Sequence, residues 1–380
     1  MASERKILRK LQQHLDKQPV GFPRALFGAD IRLLKHHFNR EEAEVALKLT
    51  YRYESLETIH TRVKESGIAV PKLRDLLYAL SEKGSIGYRK TGGVEHFCLV
   101  PLVVGMYEGR VFSLTEPYLK DVKRYQHSLR YGASLLGTGI PQMRTIPVER
   151  SIKIEQGLTG YDDIVRIIND TDGPIVVLEC ICRKADMMKG KPCEKTKRLE
   201  TCMTFRDVAI ALAAFKKGRR IDKKEALEIM RQNQQEGLVL QAFNSREPDA
   251  VCSCCGCCCG MLGLQKLLPK PIDFWASNFH AAVDNALCTG CGLCEKQCQV
   301  AAVQFNKKMK RININLKRCI GCGNCVPKCV PQAIRLVRKE MEAVPPKNYE
   351  EMQETIMKQK SKNYTAKVIN RIVAGIAARQ

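Results

Sequence analysis

The chain has 380 residues, 44% of them apolar and 27% charged, with a formal net charge of +23. That is two to three domains' worth of a globular protein able to bury real cores, and no apolar run approaches the ~18 residues a membrane span needs. Nineteen cysteines, odd in number and clustered, exclude a disulfide framework and point to metal or redox chemistry in a reducing compartment. The opening residues MASERKILRKLQQHL carry basic groups but no apolar stretch of a secretory leader, so the expected location is the cytoplasm.

In chain order, residues 1–38 read as a helical segment. Asn39 to Glu42 start a helix over 41–49, and 55–64 and 70–83 give two more, the last with Pro71 in its first turn. Residues 85–88 and 94–99 alternate about Thr91-Gly92-Gly93, a hairpin signal. Three helices and a hairpin over 39–101 resemble a winged helix, which implies DNA binding through 70–83. The charge count argues against that use. Residues 40–97 hold ten basic and nine acidic side chains, and Asp75 and Glu82 stand beside Lys72, Arg74 and Lys83. DNA readers carry a basic stripe, so DNA is not the expected partner and a docking or dimerisation module is. Cys98 reads as a buried apolar residue. None of His14, His36, His37, His60, His96, His127 and His280 has a metal-ligand spacing, and His280 reads as a strand or linker residue. Residues 102–147 read as a linker with helical content. Gly137-Thr138-Gly139 lacks the third glycine of a dinucleotide loop, and no phosphate-binding P-loop follows.

Residues 148–280 read as a cysteine-rich α/β domain. Residues 174–182 (PIVVLECIC) are a buried strand between helices at 163–168 and 205–217. Asp222 and Glu225 open a helix running to Glu236, Gly237 stops it, and 238–243 form another strand. Ten cysteines hang on this frame: Cys180, Cys182, Cys193 and Cys202, then Cys252, Cys254, Cys255, Cys257, Cys258 and Cys259. On a strand Cys180 and Cys182 face one way, and Cys252 and Cys254 do the same if their run is extended. The two pairs then make one thiolate nest with Cys193 and Cys202 on a nearby loop. A third iron–sulfur cluster is the leading expectation, and a four-cysteine zinc site or reactive dithiols are the alternatives. One cubane uses four thiolates, so VCSCCGCCCG holds more than one needs, and its partition stays open. Arg183, Lys184 and Lys191 lie close enough in sequence to offset cluster charge or lower thiol pKa values.

Residues 281–338 carry ten basic and two acidic side chains, the densest charge in the chain. Cys288, Cys291, Cys294 and Cys298 follow C-x2-C-x2-C-x3-C, and Cys319, Cys322, Cys325 and Cys329 repeat it at an offset of 31. Gly290/Gly321, Gly292/Gly323, Ala302/Ala333, Val303/Ile334 and Phe305/Leu336 match at the same offset, the mark of a duplicated unit. Three thiolates at this spacing wrap one cubane while the fourth crosses to the other. Cluster 1 is thereby assigned Cys288, Cys291, Cys294 and Cys329, and cluster 2 Cys319, Cys322, Cys325 and Cys298. Two zinc sites would call for paired C-x2-C motifs across a long gap. These residues resemble the bacterial two-[4Fe-4S] ferredoxins. The proline usual after the fourth cysteine is Gln299 in one half and Val330 in the other, with Pro331 one place on. Each oxidised cluster with its thiolates carries about two negative charges, so the lobe stays basic and implies a redox partner with an acidic face. Alternatively Lys307, Lys308, Lys310 and Arg311 only decorate a hairpin turn. The CxCR and CxCCxCCC segments ahead of such a domain are similar to iron–sulfur proteins of anaerobes.

Residues 339–380 form a helical tail with an apolar stripe at Val368, Ile369, Ile372, Val373 and Ile376. The fold class expected is α+β multidomain: winged-helix-like N-terminal domain, cysteine-rich α/β middle, ferredoxin-like C-terminal domain. Without a flavin, nicotinamide or ATP motif, electrons are expected to come from and go to other proteins, at potentials near −400 mV. The expected function is an electron-transfer protein, donor or subunit of a larger anaerobic redox system. The alternatives are a reductive enzyme with its metal centre in the middle domain and a redox-sensing DNA-binding regulator. Catalytic residues, substrate and oligomeric state are open.

Overall fold

The computed structural model describes residues 2–64, 67–152, 159–306, 308–360 and 368. Most of the apolar stripe expected in the tail lies outside these residues. One compact unit comprises 1–139, 207–217 and 353–370, and a second comprises 140–206, 218–352 and 371–380.

The first unit opens with α1 (Ala2–Asp16), α2 (Ala29–His37) and α3 (Arg40–Ala46). Asn39 accepts from the Glu42 N–H while the Glu42 carboxylate accepts from the Asn39 N–H, a capping box that starts α3. Then come β1 (Glu54–Ser55), α4 (Leu56–Val63), α5 (Val70–Glu82), β2 (Ile86–Thr91) and β3 (Val94–Leu99). Gly92 and Gly93, both at positive φ, turn β2 into β3, and β1 adds to the far edge of β3. Leu73, Leu77 and Leu80 bury one face of α5. Its cations are matched: Arg74 reaches Glu95 at 2.9 Å, Lys83 reaches Glu42 at 2.5 Å, and Lys72 pairs with Glu41.

The chain continues through a short turn α6 (Tyr107–Gly109), α7 (Glu116–Gln126) and α8 (Leu129–Leu136). The expected linker at 102–147 is corrected here. Tyr118, Tyr125 and Tyr131 are buried, Tyr125 stacks on Phe22 at 4.4 Å, and its hydroxyl donates to the Pro23 carbonyl at 2.9 Å. Aromatic area of that size belongs to a core, not a tether. The same unit recruits Phe215 from far along the chain, edge-on to Tyr78 and Tyr88 at 5.7 and 5.4 Å.

The second unit contains β4 (Met143–Ile146), α9 (Ile164–Asn169), β5 (Ile175–Glu179), α10 (Ile181–Met188) and β6 (Glu200–Thr204). It continues after α11 (Arg206–Ala214) with β7 (Arg219–Ile221), α12 (Lys223–Gln235), β8 (Val239–Phe243), β9 (Ala250–Cys254) and α13 (Gly260–Leu267). Six strands form one sheet in the order β4-β8-β9-β6-β5-β7, every neighbouring pair antiparallel. The expected α/β character is therefore α+β: β5 to β6 and β8 to β9 double back, so no parallel crossover is needed. Ile164, Ile167 and Ile168 of α9 and Ile229 and Met230 of α12 cover Val177, Met203, Leu240 and Val251. The chain ends in β10 (Phe279–Val283), α14 (Leu293–Gln297), β11 (Val303–Asn306), β12 (Arg311–Ile314), β13 (Ile334–Arg338) and α15 (Tyr349–Gln359). Strands β10 and β13 pair antiparallel, as do β11 and β12.

Strand β4 anchors this last lobe. Arg144 and Asp162 form an ion pair that is 2% and 1% exposed, and Asn278 donates to the same carboxylate at 3.0 Å. Tyr161 stacks under the guanidinium at 4.7 Å. An arginine keeps its charge when buried, so removing its partner is costly. Asp162→Asn is expected to cost about 3–5 kcal/mol, read as a lower urea midpoint. Replacing both residues by apolar ones, Arg144→Met with Asp162→Leu, recovers most of it. A midpoint unchanged by Asp162→Asn alone refutes this reading.

Candidate metal centres

The two halves of the C-terminal repeat put corresponding glycines to one use. Gly290 and Gly321 both have positive φ, and a Cβ on either would stand 2.2 Å from a backbone carbonyl, that of Lys310 or Phe279. Only glycine allows so close an approach in that conformation. The loops they shape bring cysteines together. Cys288, Cys291, Cys294 and Cys329 line one small pocket with Ile312 and Pro331. Burial pushes the Cys294 thiol up to about 11, with Cys291 and Cys329 adding to it. Burial likewise raises Cys319, Cys325 and Cys322, the last to about 12, and the Cys298 thiol adds to all three. Backbone N–H groups are aimed at this sulfur: Ala281 donates to Cys319 at 3.3 Å and Ala302 to Cys298 at 3.2 Å. Thiols that repel one another in an apolar site, with amide donors supplied, suit thiolates bound to a cationic centre. A cavity walled by four of them has the donor set of a [4Fe-4S] cluster. Cys291 is exposed whereas Cys319 and Cys325 are buried, so the first group lies nearer the surface.

The ten middle cysteines separate into two sets. Cys193, Cys255, Cys257 and Cys258 have all four Sγ atoms within 4.8 Å of one another. Cys193 lies 3.5 Å from Cys255 and 3.7 Å from Cys257, and Cys257 lies 3.7 Å from Cys258. Against its burial, the N–H groups of Lys195 and Thr196 hold the Cys193 thiol down at about 7. Cys255 is pushed up by burial to about 12.

The other six are Cys180, Cys182, Cys202, Cys252, Cys254 and Cys259. Cys252 and Cys254 sit on β9. Cys180 and Cys182 do not share a strand face, a correction to the expected strand over 174–182. Strand β5 ends at Glu179 after a register shift at Leu178/Glu179, Cys180 is the N-cap of α10, and Cys182 lies in its first turn. The expected single nest with Cys193 and Cys202 beside it is also corrected. Cys202, on β6, joins the six, and Cys193 joins the four. Cys259 is the N-cap of α13 and its thiol is held well below the ordinary value, first by Cys182 and Cys254 and then by the N–H groups of Leu262 and Met261. Of the cations expected nearby, Lys184 pairs with Glu179 and Lys191 is exposed, whereas Arg183 is buried.

Sequence reasoning missed the tie between this region and the C-terminal repeat. Gln299, where the proline is usual, is 4% exposed. Its carbonyl accepts from the Gly256 N–H at 2.8 Å and its amide donates to the Gly237 carbonyl at 3.0 Å. The signal was present as a departure from the ferredoxin pattern; its use needed the fold. Asn324 also donates to Gly237, so Gln299→Ala orphans chiefly the Gly256 N–H. A cost of about 1–3 kcal/mol and faster alkylation of Cys257 in metal-free protein are expected; an unchanged rate counts against the tie.

The family model of the 4Fe-4S dicluster domain matches residues 280–330. No curated protein and no solved structure matches the chain. No helix among the described residues is long and apolar enough to cross a membrane.

Proposed function

We propose that this chain is an iron–sulfur electron-transfer protein that exchanges electrons with a partner protein through its C-terminal repeat. One observation carries the reading. Cys294, Cys319 and Cys325 of the repeat and Cys254 and Cys259 of the middle region belong to one continuous apolar core. Metal centres in such a core are shielded from water, which favours outer-sphere electron transfer over hydrolysis or ligand exchange.

In this reading Cys288, Cys291, Cys294 and Cys329 hold one [4Fe-4S] cluster, and Cys319, Cys322, Cys325 and Cys298 hold the other. Bound clusters supply one-electron redox chemistry. The residues around them set where it is used. Exposed Lys308, Lys310 and Arg311 stand on the β11–β12 hairpin, whose Lys310 carbonyl abuts Gly290, and exposed Lys328 lines the first group's cavity. A rim of cations around the more exposed group favours an acidic partner face and steers its approach. The second group, more deeply buried, is then the inner relay.

Cys193, Cys255, Cys257 and Cys258 take a further metal. A zinc–thiolate bond of about 2.3 Å makes the edge of an S4 tetrahedron about 3.8 Å, close to the separations of 3.5 and 3.7 Å. A cubane spreads its four thiolates over four separate irons and sets them farther apart. A single tetrahedral ion, zinc or iron, is the better fit.

The helices and hairpin at 39–101 have the order of a winged helix and serve as a docking module. Every cation of α5 named above has a carboxylate partner, which leaves little to neutralise phosphates. No retardation of duplex DNA is expected even at low salt; binding that weakens steeply with salt overturns this assignment. Anaerobically purified protein is expected to carry about eight irons and eight acid-labile sulfides in the repeat. Cys291→Ala is expected to remove about four irons and one of two interacting electron paramagnetic resonance signals. An unchanged iron content and spectrum would sink the ligand assignment.

A further inference from the structure

The duplication gives the C-terminal lobe two corresponding faces, one beside each group of cysteines. At the offset of 31, Arg318, Asn324 and Gln299 of one face correspond to Leu287, Leu293 and Val330 of the other. The first three are polar and buried, at 8%, 4% and 4% exposed. They hold the middle region. Arg318 donates to the carbonyls of Leu268 and Gln265 at 3.0 and 3.2 Å, and Asn324 and Gln299 both donate to that of Gly237 at 2.9 and 3.0 Å. Their counterparts are apolar and exposed, at 52%, 45% and 85%.

The three exposed side chains lie together. Leu287 precedes Cys288, Leu293 stands between Gly292 and Cys294, and Val330 between Cys329 and Pro331, and those neighbours all line one pocket. Exposed Met309 adjoins Lys310, whose carbonyl abuts Gly290 of the same pocket. Exposed Cys291 lines it too, so anything seated on this face comes up against the first group of thiols.

We propose that this uncovered face is the docking surface for a separate redox protein whose contact area is apolar at its centre and ringed by carboxylates. The proposal rests on the reading of the repeat as the electron-exchanging part, and it adds which side chains meet the partner and what they require of it. Large apolar side chains gathered at one exposed place mark an interaction site. The difference between the two faces has a physical reason. A permanently packed face can bury polar anchors, because each keeps a fixed hydrogen-bond partner. A face that is covered and uncovered in turn is better served by apolar groups, which leave no donor or acceptor unpaired on burial. Charge selects the occupant. Exposed Lys308, Lys310 and Arg311 of the β11–β12 hairpin and exposed Lys328 rim the patch. Two copies meeting through it would set cations against cations, so the occupant is not a second copy but an acidic protein, steered in by the rim and held by the centre.

The test uses the anaerobic holoprotein and, as probe, an oxidised flavodoxin with an acidic face around its flavin edge. Binding is read by calorimetry, so no electron has to move. Wild-type affinity is expected to fall with salt to a plateau that persists near 1 M, where the Debye length is about 3 Å, with a negative heat-capacity change. Leu293→Asn with Val330→Gln copies the covered face without altering charge. It is expected to weaken binding about tenfold at every salt concentration and to shrink the heat-capacity change, with iron and sulfide content unchanged. Lys308→Glu with Arg311→Glu is expected to weaken binding at low salt only. Should the double apolar variant perturb the lobe, Val330→Gln alone gives a smaller loss of the same kind. Absence of flavodoxin binding, apolar variants that bind like wild type, or a wild-type dimer that those variants dissolve overturns the proposal. Failure of the electron-transfer reading shows differently, as clusters that accept no electron while binding and its dependence on Leu293 and Val330 persist.

Discussion

Anionic sulfur inside an apolar core is the constraint on which the second unit depends. A buried thiol prefers to keep its proton, and a buried thiolate needs a cation or several N–H donors. The unit supplies both. Cys259 occupies the N-cap of α13, where the N–H groups of Leu262 and Met261 and the helix dipole favour negative charge. Amides of Ala281, Ala302 and Lys195 point at sulfur elsewhere. Arg183 brings a full positive charge to the middle of the set. These devices are local, but each is held by packing that runs through the whole unit.

The sheet is what lets the devices meet. Its antiparallel order sets β9, with Cys252 and Cys254, directly beside β6, with Cys202, and β6 beside β5, whose end delivers Cys180. The strand β4 works at the other edge: beyond it Val148 donates to the Cys322 carbonyl at 2.9 Å, and Ser151 fills the space where a Cβ on Gly323 would stand. Gln299 closes the contact between repeat and middle region from the opposite direction. The cysteine run and the duplicated lobe therefore share one core, which takes in Val239 of β8 and Cys254 of β9, while α9, α12 and the sheet enclose a second.

The first unit follows a different logic. Its interior is aromatic and aliphatic, with Tyr118, Tyr125 and Tyr131 carrying much of the bulk, and Lys72, Arg74 and Lys83 at α5 are paired with neighbouring carboxylates. Segments from three distant stretches of the chain build it, which is why a charge count over 40–97 alone described its surface better than its boundaries.

The eight cysteines of the repeat mark a 4Fe-4S dicluster domain in the sequence itself, because ligand spacing along a short loop is a local property and the duplication states it twice. Equally legible were the capped helices near Asn39 and Asp222 and the hairpin at Gly92-Gly93, where nearest neighbours decide the backbone. The ten middle cysteines were recognisable only as a metal-binding set. Their division depended on where β5 stops and α10 begins: the strand ends three residues short of Cys182, which places Cys182 in a helix turn and not on a strand face. It depended equally on strand order, which brings Cys202 to Cys252 across fifty residues of chain. Composition and spacing determine which atoms are available to bind metal; long-range pairing and packing alone decide which of them share an ion, because that is a matter of distance in space and not along the chain.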